Sequence, residues 1–423
     1  MSSKHVLLFP MGSSGDVHPF IGLGRRLLQR GHRVTLFTCE YFGETAAKFG
    51  LEFVSTYSTE DYHRIQDDPE IWHPSRGPKA IMDRTQSVDA YRNDHRLIAE
   101  RNVPGETVVV GGTLALGARI ARDHLKVPLV TVHLQPGAII SPERPPRYAA
   151  GNLPHWFPRW LRRLAYRVGE KLVIDPMVAP KVNAFRAELG LPPVKKIMTR
   201  YWHSPDAVVG LFPEWYATPA GDWPAHMRLT SFPLYDEANV RELAPEHRRF
   251  FEDGSPPVVV TFGSAMRHAK QHFTAAAAAI HKIGRRGVLL TPYREQLPES
   301  LPAGVIHADY IPLSQILPKA AAMVHHGGIG TAAQTLAAGI PHLVMPMTHD
   351  QPDNAVRLEK LGVARWLLPA QFTAANVARE LERLLGDSAV KHAAAQVAER
   401  LKREDGLTAA AEIVERTVLA PAR

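Results

Sequence analysis

The sequence predicts an α/β protein made of two Rossmann-like domains, each with a doubly wound parallel sheet. Short apolar runs of strand type alternate with longer segments of helical spacing through both halves of the chain, as in parallel sheets. At 423 residues the chain exceeds what one hydrophobic core usually supports. A polar stretch without an apolar strand, residues 237–256, separates the halves. These observations predict a first domain at 1–236, a linker at 237–256 and a second domain from 257.

Composition and cysteine content describe an ordinary globular chain. Hydrophobic residues make up 45% and charged residues 22% of the sequence, which does not indicate disorder. Cys39 is the single cysteine, so no internal disulfide can form. No secretory apolar segment precedes the first strand, and no apolar run approaches the length of a membrane span. We therefore expect a cytoplasmic protein.

The basic charge limits the classes of partner. The net charge is +8 and the pI about 9.5, but most cations are scattered and lack the aromatic interleaving of RNA-binding surfaces, which argues against nucleic acid. One patch, residues 158–172, places Trp160, Leu161, Leu164 and Val168 in an apolar stripe beside several arginines. That pattern allows transient contact with a membrane surface. A helix packed on its own domain is the favoured alternative.

The first half opens with a strand at Val6–Pro10, a glycine-containing turn, a helix from Pro19 to about Arg30, and a second strand, HRVTLFT. The turn lacks the G-x-G-x-x-G spacing of dinucleotide sites. We therefore predict no nicotinamide and no other cofactor. The stretch from Ser55 to His95 has weak periodicity and is predicted to be a long connection that carries binding loops.

The alternation continues to the end of the chain. In the first half TVVVGG, PLVTVHL, SPDAVVGLF and HMRLTSFPLYD are predicted strands, with helices between them. In the second half PPVVVTFGS, RGVLLTP, GVIHADYIP, AAAMV, HLVMP and ARWLLP are predicted strands, and two final helices begin near Ala374. TVVVGG is an apolar run without a polar interruption, which is typical of a strand buried on both faces.

The stretch HHGGIGTAAQTLAAGIPHLVMPMTHDQPDN, residues 325–354, carries the main chemical signal. A strand passes through a glycine turn into a helix, so unpaired N–H groups and the positive end of the helix dipole meet at one place, which suits a phosphate. Thr331 can cap this helix or donate its hydroxyl. Gly339, followed by Pro341, should end the helix. The next strand delivers Asp350 and Gln351 to its C-terminal end, where ligands of open α/β sheets bind.

The ordered residues of this stretch resemble the donor-binding signature of the GT-B glycosyltransferases of the UDP-glycosyltransferase superfamily, glycosyltransferase family 1. The resemblance rests on HHGGIGT, the helix, GIP and the DQxxN ending. It implies an acceptor-binding domain and a nucleotide-sugar-binding domain, at 257–400, facing a cleft. It also implies that a C-terminal helix at 401–423 crosses back to the first domain. GGTLALGARIA and HSPDAVVGLFPEWY further resemble the bacterial rhamnosyltransferases of rhamnolipid synthesis and of polyphenols.

The resemblance assigns donor-binding roles residue by residue. His326 is expected to contact the donor diphosphate, whereas its neighbour His325 is expected to be structural. The remaining expected donor contacts are Gly328, Gly330, Thr331 and Ser264 at the phosphates, Gln334 at the ribose, Asp350 and Gln351 at the sugar hydroxyls, Tyr310 stacked on the base, and the Ile311 backbone at the base edge. Because adjacent strand residues point to opposite faces and no Asp-x-Asp motif is present, we predict no metal.

The general base has two candidates in the first loop, Asp16 and His18. If Pro19 is the first helical residue, His18 is the cap and Asp16 lies outside the helix, free to act as a base. A histidine base would need an orienting carboxylate, but Gly112 and Thr113 stand where the family places that aspartate. We therefore favour Asp16, with His18 as the alternative.

Together these assignments predict an inverting, metal-independent glycosyltransferase that acts on a hydroxyl of a hydrophobic acceptor such as a flavonoid or a hydroxy-fatty acid. Gln334, where users of uridine nucleotides carry glutamate, and the apolar Leu313 favour dTDP-rhamnose as the donor. A UDP-glucose-dependent glucosyltransferase, a nucleotide-sugar epimerase and a non-catalytic GT-B auxiliary protein are the alternatives.

Overall fold

The computed structural model describes residues 3–149, 151–153, 156–239 and 242–419. The chain divides into two compact units. Unit 1 comprises the described residues of Met1–Ile71, Ser75–Pro233 and Asp405–Arg423, and unit 2 comprises Trp72–Pro74 and the described residues of Leu234–Glu404. Among the described residues, no helix is both long enough and apolar enough to cross a lipid bilayer.

Unit 1 is built on a seven-stranded parallel sheet, as the alternation in the sequence predicted. The strands lie in the order β3-β2-β1-β4-β5-β6-β7. They are β1 (His5–Phe9), β2 (Arg33–Cys39), β3 (Glu52–Tyr57), β4 (Thr107–Gly112), β5 (Leu129–His133), β6 (Ala207–Gly210) and β7 (Met227–Leu229). The chain order reverses between β1 and β4, so the ligand crevice of this sheet is expected at their C-terminal ends.

Nine helices of the described residues accompany this sheet. They are α1 (Ser14–Gln29), α2 (Gly43–Lys48), α3 (Thr59–Asp67), α4 (Gly77–Thr85), α5 (Val88–Ala99), α6 (Leu116–Leu125), α7 (Arg159–Gly169), α8 (Asp175–Glu188) and, after unit 2, α16 (Gly406–Leu419). The α16 helix packs on α1, where Glu415 accepts hydrogen bonds from Arg30 and His32 at 2.7 to 2.9 Å. The end of the chain therefore belongs to unit 1.

Helices α3, α4 and α5 lie in the long connection between β3 and β4, which the sequence predicts to carry binding loops. Its weak periodicity did not predict these helices. Ser58 and Ser87 cap α3 and α5 by accepting hydrogen bonds from the Asp61 and Ala90 N–H groups. Only a few apolar residues of each helix are buried, such as Tyr91 and Leu97 on α5. Each helix is therefore stabilised by packing a few residues of one face on unit 1.

Unit 2 contains a six-stranded parallel sheet in the order β10-β9-β8-β11-β12-β13. Its strands are β8 (Val258–Thr261), β9 (Gly287–Leu290), β10 (Val305–Ala308), β11 (Ala322–His325), β12 (His342–Val344) and β13 (Ala364–Trp366). Its helices are α9 (Pro245–Glu252), α10 (Lys270–Lys282), α11 (Leu313–Ile316), α12 (Ile329–Ala338), α13 (Gln351–Lys360), α14 (Ala374–Gly386) and α15 (Ser388–Leu401). The α9 helix lies inside the segment predicted as a linker, in which residues 240 and 241 are outside the described part.

The cores of both units sit on their central strands. Val108, Val109 and Val110 of β4 are fully buried, as are Val258 and its two following valines on β8. Phe251 of α9 is buried against the unit 2 core. These runs are apolar on both faces because helices cover both sides of the sheets.

Candidate functional site

The C-terminal ends of β8 and β11 bring Ser264 and His326 into one place. Thr261 pairs with His325 in the parallel register, so the next residues of the two strands are neighbours. Gly263 has φ +93°, and a Cβ atom there would lie 2.8 Å from His326 Cε1. The loop after β8 can therefore lie against the imidazole only because residue 263 lacks a side chain. Ser264 follows and is exposed.

The imidazole of His326 is neutral, and one of its ring nitrogens makes no hydrogen bond within the described residues. Its Nδ1 atom is buried and has no hydrogen-bond partner among the described residues. Burial lowers the pKa of His326 to about 4. A neutral imidazole carries one N–H donor and one acceptor. His326 can thus give one hydrogen bond to a phosphate oxygen without a permanent charge, and a bound diphosphate would raise its pKa.

His325 has a structural role, as the sequence analysis expected. The Gly327 N–H donates to His325 Nδ1 at 3.1 Å, so the ring proton must lie on Nε2. That proton is directed at His342 Nδ1, 3.0 Å away. Both ring nitrogens therefore hold the turn after β11.

The N-terminus of α12 is open. The helix begins at Ile329 with Gly328 as the N-cap, and no side chain caps it. Thr331 is thus the third helical residue and not the cap, which corrects one of its two predicted roles; its hydroxyl remains a candidate donor. A helix start without a side-chain cap leaves first-turn N–H groups, including that of Gly330, for an anion. Gln334 lies one turn further on and is partly buried.

Gln351 offers less to a sugar than the sequence suggested. Its Oε1 atom accepts from the Met347 N–H at 2.8 Å and the Thr348 N–H at 3.3 Å. The residue is 4% exposed. Only its NH₂ group remains for a ligand, so Gln351 can donate to a sugar hydroxyl, and the acceptor at the sugar would be the Asp350 carboxylate. The preceding Asp350 is the N-cap residue of α13 and is partly buried.

Asn354 joins the two loops of the donor signature. Its Nδ2 atom donates to the Gly327 carbonyl at 2.9 Å and to Asp350 Oδ2 at 2.7 Å. The asparagine therefore fixes Asp350 relative to the turn before α12. The sequence analysis gave Asn354 no role, although its fixed spacing in DQxxN was a signal.

Tyr310 lies outside the core. Its side chain is 39% exposed, whereas the next residue, Ile311, is 3% exposed and packs in the unit 2 core. The buried isoleucine anchors the loop after β10 and leaves the tyrosine ring accessible. This exposure argues against a role of Tyr310 in the core and leaves its ring available for stacking.

Arg267 and Tyr293 stand near Ser264 and were missed in the sequence. The Arg267 guanidinium lies 4.5 Å from the centroid of the Tyr293 ring, and the Tyr293 hydroxyl donates to the Ser264 carbonyl at 3.1 Å. A cation only three residues beyond Ser264 is the signal that could have been used. It brings positive charge to the predicted phosphate loop.

In unit 1, helix α1 begins earlier than predicted. Its first residue is Ser14 and its N-cap is Ser13, so Pro19 lies inside the helix. Asp16 Oδ2 accepts from the Ser13 N–H at 2.8 Å and from the Ser13 hydroxyl at 3.2 Å. This capping box stabilises the helix start, so the predicted start at Pro19 is wrong. A Cβ on Gly12, which has φ +132°, would overlap the Asp16 carboxyl.

The Asp16 carboxyl has the chemistry of a base. Burial raises the pKa of Asp16 to about 6, although the hydrogen bonds from Ser13 oppose this shift. Both hydrogen bonds end on Oδ2. Oδ1 is therefore left for a substrate hydroxyl, and a carboxylate of raised pKa removes a proton more readily at neutral pH.

His18 points elsewhere. On a helix, residues two apart diverge by about 200°, so Asp16 and His18 cannot face the same spot from α1. The His18 ring meets Phe42 edge to face at 6.4 Å. Since no carboxylate follows β4, this geometry favours Asp16 as well.

Among the described residues, no group of three or more His, Cys, Asp or Glu side chains is arranged to hold a metal ion. Metal independence stays a prediction.

Two known domain families match this chain. Residues 6–133 match the glycosyltransferase family 28 N-terminal domain. Residues 287–418 match the erythromycin biosynthesis protein CIII-like C-terminal domain. The two matches lie in different halves of the chain.

Similar proteins extend over nearly the whole chain. O-mycaminosyltylonolide 6-deoxyallosyltransferase of Streptomyces fradiae is 28% identical over 97% of this chain and 96% of its own. Sterol 3-beta-glucosyltransferase of Candida albicans is 24% identical over 98% of this chain, which spans 28% of that longer protein. The structure of spinosyn rhamnosyltransferase SpnG with thymidine diphosphate superimposes with a TM-score of 0.67 at 19% identity, covering 98% of this chain and 100% of that one.

Proposed function

The chain is a glycosyltransferase of the GT-B type, and on that premise we propose that it transfers a 6-deoxyhexose from a thymidine diphosphate sugar to a hydrophobic hydroxylated acceptor. Rhamnose is the leading sugar. The observation that carries the proposal is the anion site of unit 2. There the open start of α12 and the unpartnered His326 Nδ1 meet the loop of Gly263.

The proposed reaction is a single displacement with inversion. Asp16 Oδ1 takes the proton of the acceptor hydroxyl, and the hydroxyl oxygen attacks the anomeric carbon from the face opposite the diphosphate. The bond from the anomeric carbon to the phosphate oxygen breaks as the new glycosidic bond forms. The diphosphate leaves with both bonding electrons and is stabilised by the α12 N–H groups and His326. No metal takes part in this scheme.

The nucleotide preference rests on unit 2 and on the similar proteins. Gln334 can accept from a ribose hydroxyl through one oxygen only, so deoxyribose loses less than ribose at this position. Leu313 offers an apolar contact for the thymine methyl. SpnG was solved with thymidine diphosphate, and the Streptomyces fradiae relative is named for a 6-deoxyhexose.

We expect thymidine diphosphate to bind more tightly than uridine diphosphate, by up to about fourfold for one buried methyl group. Competition calorimetry with the two free nucleotides measures this difference. Gln334→Glu is the matched variant and should shift the preference toward uridine diphosphate, because a carboxylate accepts from both ribose hydroxyls. Equal affinities, together with faster turnover of UDP-glucose than of dTDP-rhamnose, would contradict the donor assignment and leave the enzyme class standing.

Product analysis tests the reaction itself. The protein is incubated with dTDP-rhamnose alone, then with a flavonol or a hydroxy-fatty acid added. A glycoside that forms only with acceptor, and that has the inverted anomeric configuration, is the expected result. A changed sugar nucleotide without acceptor would indicate an epimerase. No product with any donor would indicate an auxiliary protein.

Helix α7 supports a membrane contact of the enzyme. The sequence analysis favoured its packing on unit 1, but none of its residues is buried. Trp160 is 67%, Leu164 48% and Val168 46% exposed, and Leu161 alone of the predicted stripe is partly buried. Among the described residues, six of the eleven exposed large hydrophobic side chains lie within residues 156–173.

The charges beside this stripe indicate an anionic lipid surface. The exposed cations of the segment are Arg159, Arg163, Arg167 and Lys171. Of these, Arg163 is 2.5 Å from Glu143. A helix with cations beside exposed Trp and Leu side chains is typical of interfacial membrane helices. We propose that α7 binds the surface of an anionic bilayer.

Leu164→Asp is expected to reduce binding to vesicles of mixed phosphatidylcholine and phosphatidylglycerol by about tenfold or more. It removes a leucine side chain that would be buried in the lipid, and it adds a negative charge that the anionic lipid repels. Sedimentation of the protein with the vesicles measures this. Leu368→Asp is the matched control, since Leu368 is also a 48% exposed leucine. The proposal would be contradicted if the wild type bound vesicles of pure phosphatidylcholine as well as the mixed vesicles. It would also be contradicted if Leu164→Asp and Leu368→Asp lost vesicle binding to the same extent.

A further inference from the structure

A chain of buried hydrogen bonds ends at Thr113. The Trp202 Nε1–H donates to His203 Nε2 at 3.2 Å. His203 Nδ1 lies 2.9 Å from His133 Nε2, and His133 Nδ1 lies 2.9 Å from Thr113 Oγ1. His133, His203 and Trp202 are buried, whereas Thr113 is partly exposed. Both ring nitrogens of each histidine are therefore engaged.

Trp202 sets the direction of every bond in this chain. An indole nitrogen only donates, so His203 Nε2 must be the acceptor and the His203 proton must lie on Nδ1. The His203 Nδ1–H therefore donates to His133 Nε2. The proton of the neutral His133 ring must then lie on Nδ1, which donates to the Thr113 hydroxyl oxygen. Burial lowers the pKa of His203 to about 4 and that of His133 well below its usual value, so neither ring takes a second proton at neutral pH. The Thr113 hydroxyl hydrogen is left to donate outward.

Thr113 sits at the crevice of the unit 1 sheet. It follows β4, which pairs with β1 at Gly111 and Phe9, and the strand order reverses between these two strands. A Cβ on Gly112 would lie 3.8 Å from Pro10 Cα, just before the turn that leads into helix α1 and Asp16. No other hydrogen bond of Thr113 is found within the described part of the chain.

We propose that Thr113 is an acceptor-binding residue whose hydroxyl donates to an oxygen of the sugar-accepting molecule, with Trp202, His203 and His133 as positioning residues. This inference rests on the proposed function, which places the acceptor in unit 1. The oxygen is a carbonyl, ether or carboxylate oxygen beside the reacting hydroxyl, because a hydrogen bond donated to the reacting oxygen would lower its nucleophilicity.

This series of hydrogen bonds cannot act as the general base of the reaction. A proton received by Thr113 would have to pass to His133 Nδ1, which already carries one. If every hydrogen bond in the series were reversed, the Trp202 indole nitrogen would have to accept a hydrogen bond, which it cannot do. Thr113 therefore orients the acceptor, and the proton goes to Asp16 in the first turn of α1.

Thr113→Val tests the donor with a residue of the same shape. A flavonol serves as the probe because its carbonyl lies beside a hydroxyl. Calorimetry should show about three- to tenfold weaker binding of the flavonol, with thymidine diphosphate affinity and the pH profile of kcat unchanged. Thr113→Ser, which keeps the hydroxyl, should restore most of the affinity. Unchanged flavonol affinity, no measurable flavonol binding, or an altered pH profile in Thr113→Val would overturn the proposal.

Nitrogen-15 NMR of labelled histidines tests the proton positions without any substrate. His133 and His203 should both carry the proton on Nδ1, and Trp202→Phe should allow His203 to exchange between its two neutral forms. A proton on Nε2 of His133 would overturn the inference even if glycoside formation is confirmed. Absence of glycoside with the expected spectrum and flavonol binding would instead count against the proposed function alone.

Discussion

Asp16→Asn is expected to lower turnover by about 100-fold or more, the usual effect of removing a general base, while thymidine diphosphate still binds normally. The reason is the free Oδ1 of a carboxyl whose pKa is raised to about 6. The asparagine amide oxygen can still accept from the Ser13 N–H, so the capping box of α1 largely persists. Turnover with dTDP-rhamnose and nucleotide calorimetry measure the two quantities.

The pH profile provides the control for this assignment. Asp16 must be ionised to accept a proton, so kcat/KM should fall as the pH drops through about 6. Ser13→Ala removes one hydrogen bond that stabilises the ionised Asp16 carboxylate. It should therefore raise the pKa of Asp16 and move the fall of kcat/KM to higher pH. If His18→Ala abolishes turnover while Asp16→Asn retains it, the base is His18.

The fold could be predicted largely because its strands are buried on both faces. Runs such as Val108–Val110 and the valines of β8 have no polar interruption, which indicates parallel strands beneath helices. The predicted start of α1 at Pro19 is wrong because Pro19 lies inside the helix, and the Ser13 and Asp16 pair, three residues apart, is the stronger signal of its start. Helices α3 to α5 could not be predicted because their apolar faces are narrow.

The candidate site was predictable only where its residues are close in sequence. The glycine turn of α12 and the DQxxN ending are continuous, so their order could be compared with a family. The Gln351 side-chain oxygen accepts a hydrogen bond from the Met347 N–H, a local contact that the spacing of the motif does not reveal. Thr113, His133 and His203 come from separate elements, and only the folded sheet brings them together.

His326→Ala is expected to weaken thymidine diphosphate binding by about 10- to 150-fold, or roughly 1.5 to 3 kcal/mol, the usual range for a hydrogen bond to a charged group. The reason is its unpartnered Nδ1 beside the open start of α12. Calorimetry with the free nucleotide measures the change. Because the pKa of free His326 is lowered to about 4, the bound diphosphate should raise it and draw protons at mildly acidic pH.

That proton uptake separates a ligand contact from a packing role of His326. Titrations near pH 5 to 6 in two buffers of different ionisation enthalpy should show more protons taken up by the wild type than by His326→Ala, in which only the phosphate of the nucleotide contributes to the proton balance. His326→Gln retains an N–H donor next to Gly263 and controls for loss of packing; it should bind the nucleotide more tightly than His326→Ala without the linked proton. Unchanged affinity in both variants, at unchanged melting temperature, would mean that His326 only fills the space beneath the Gly263 turn.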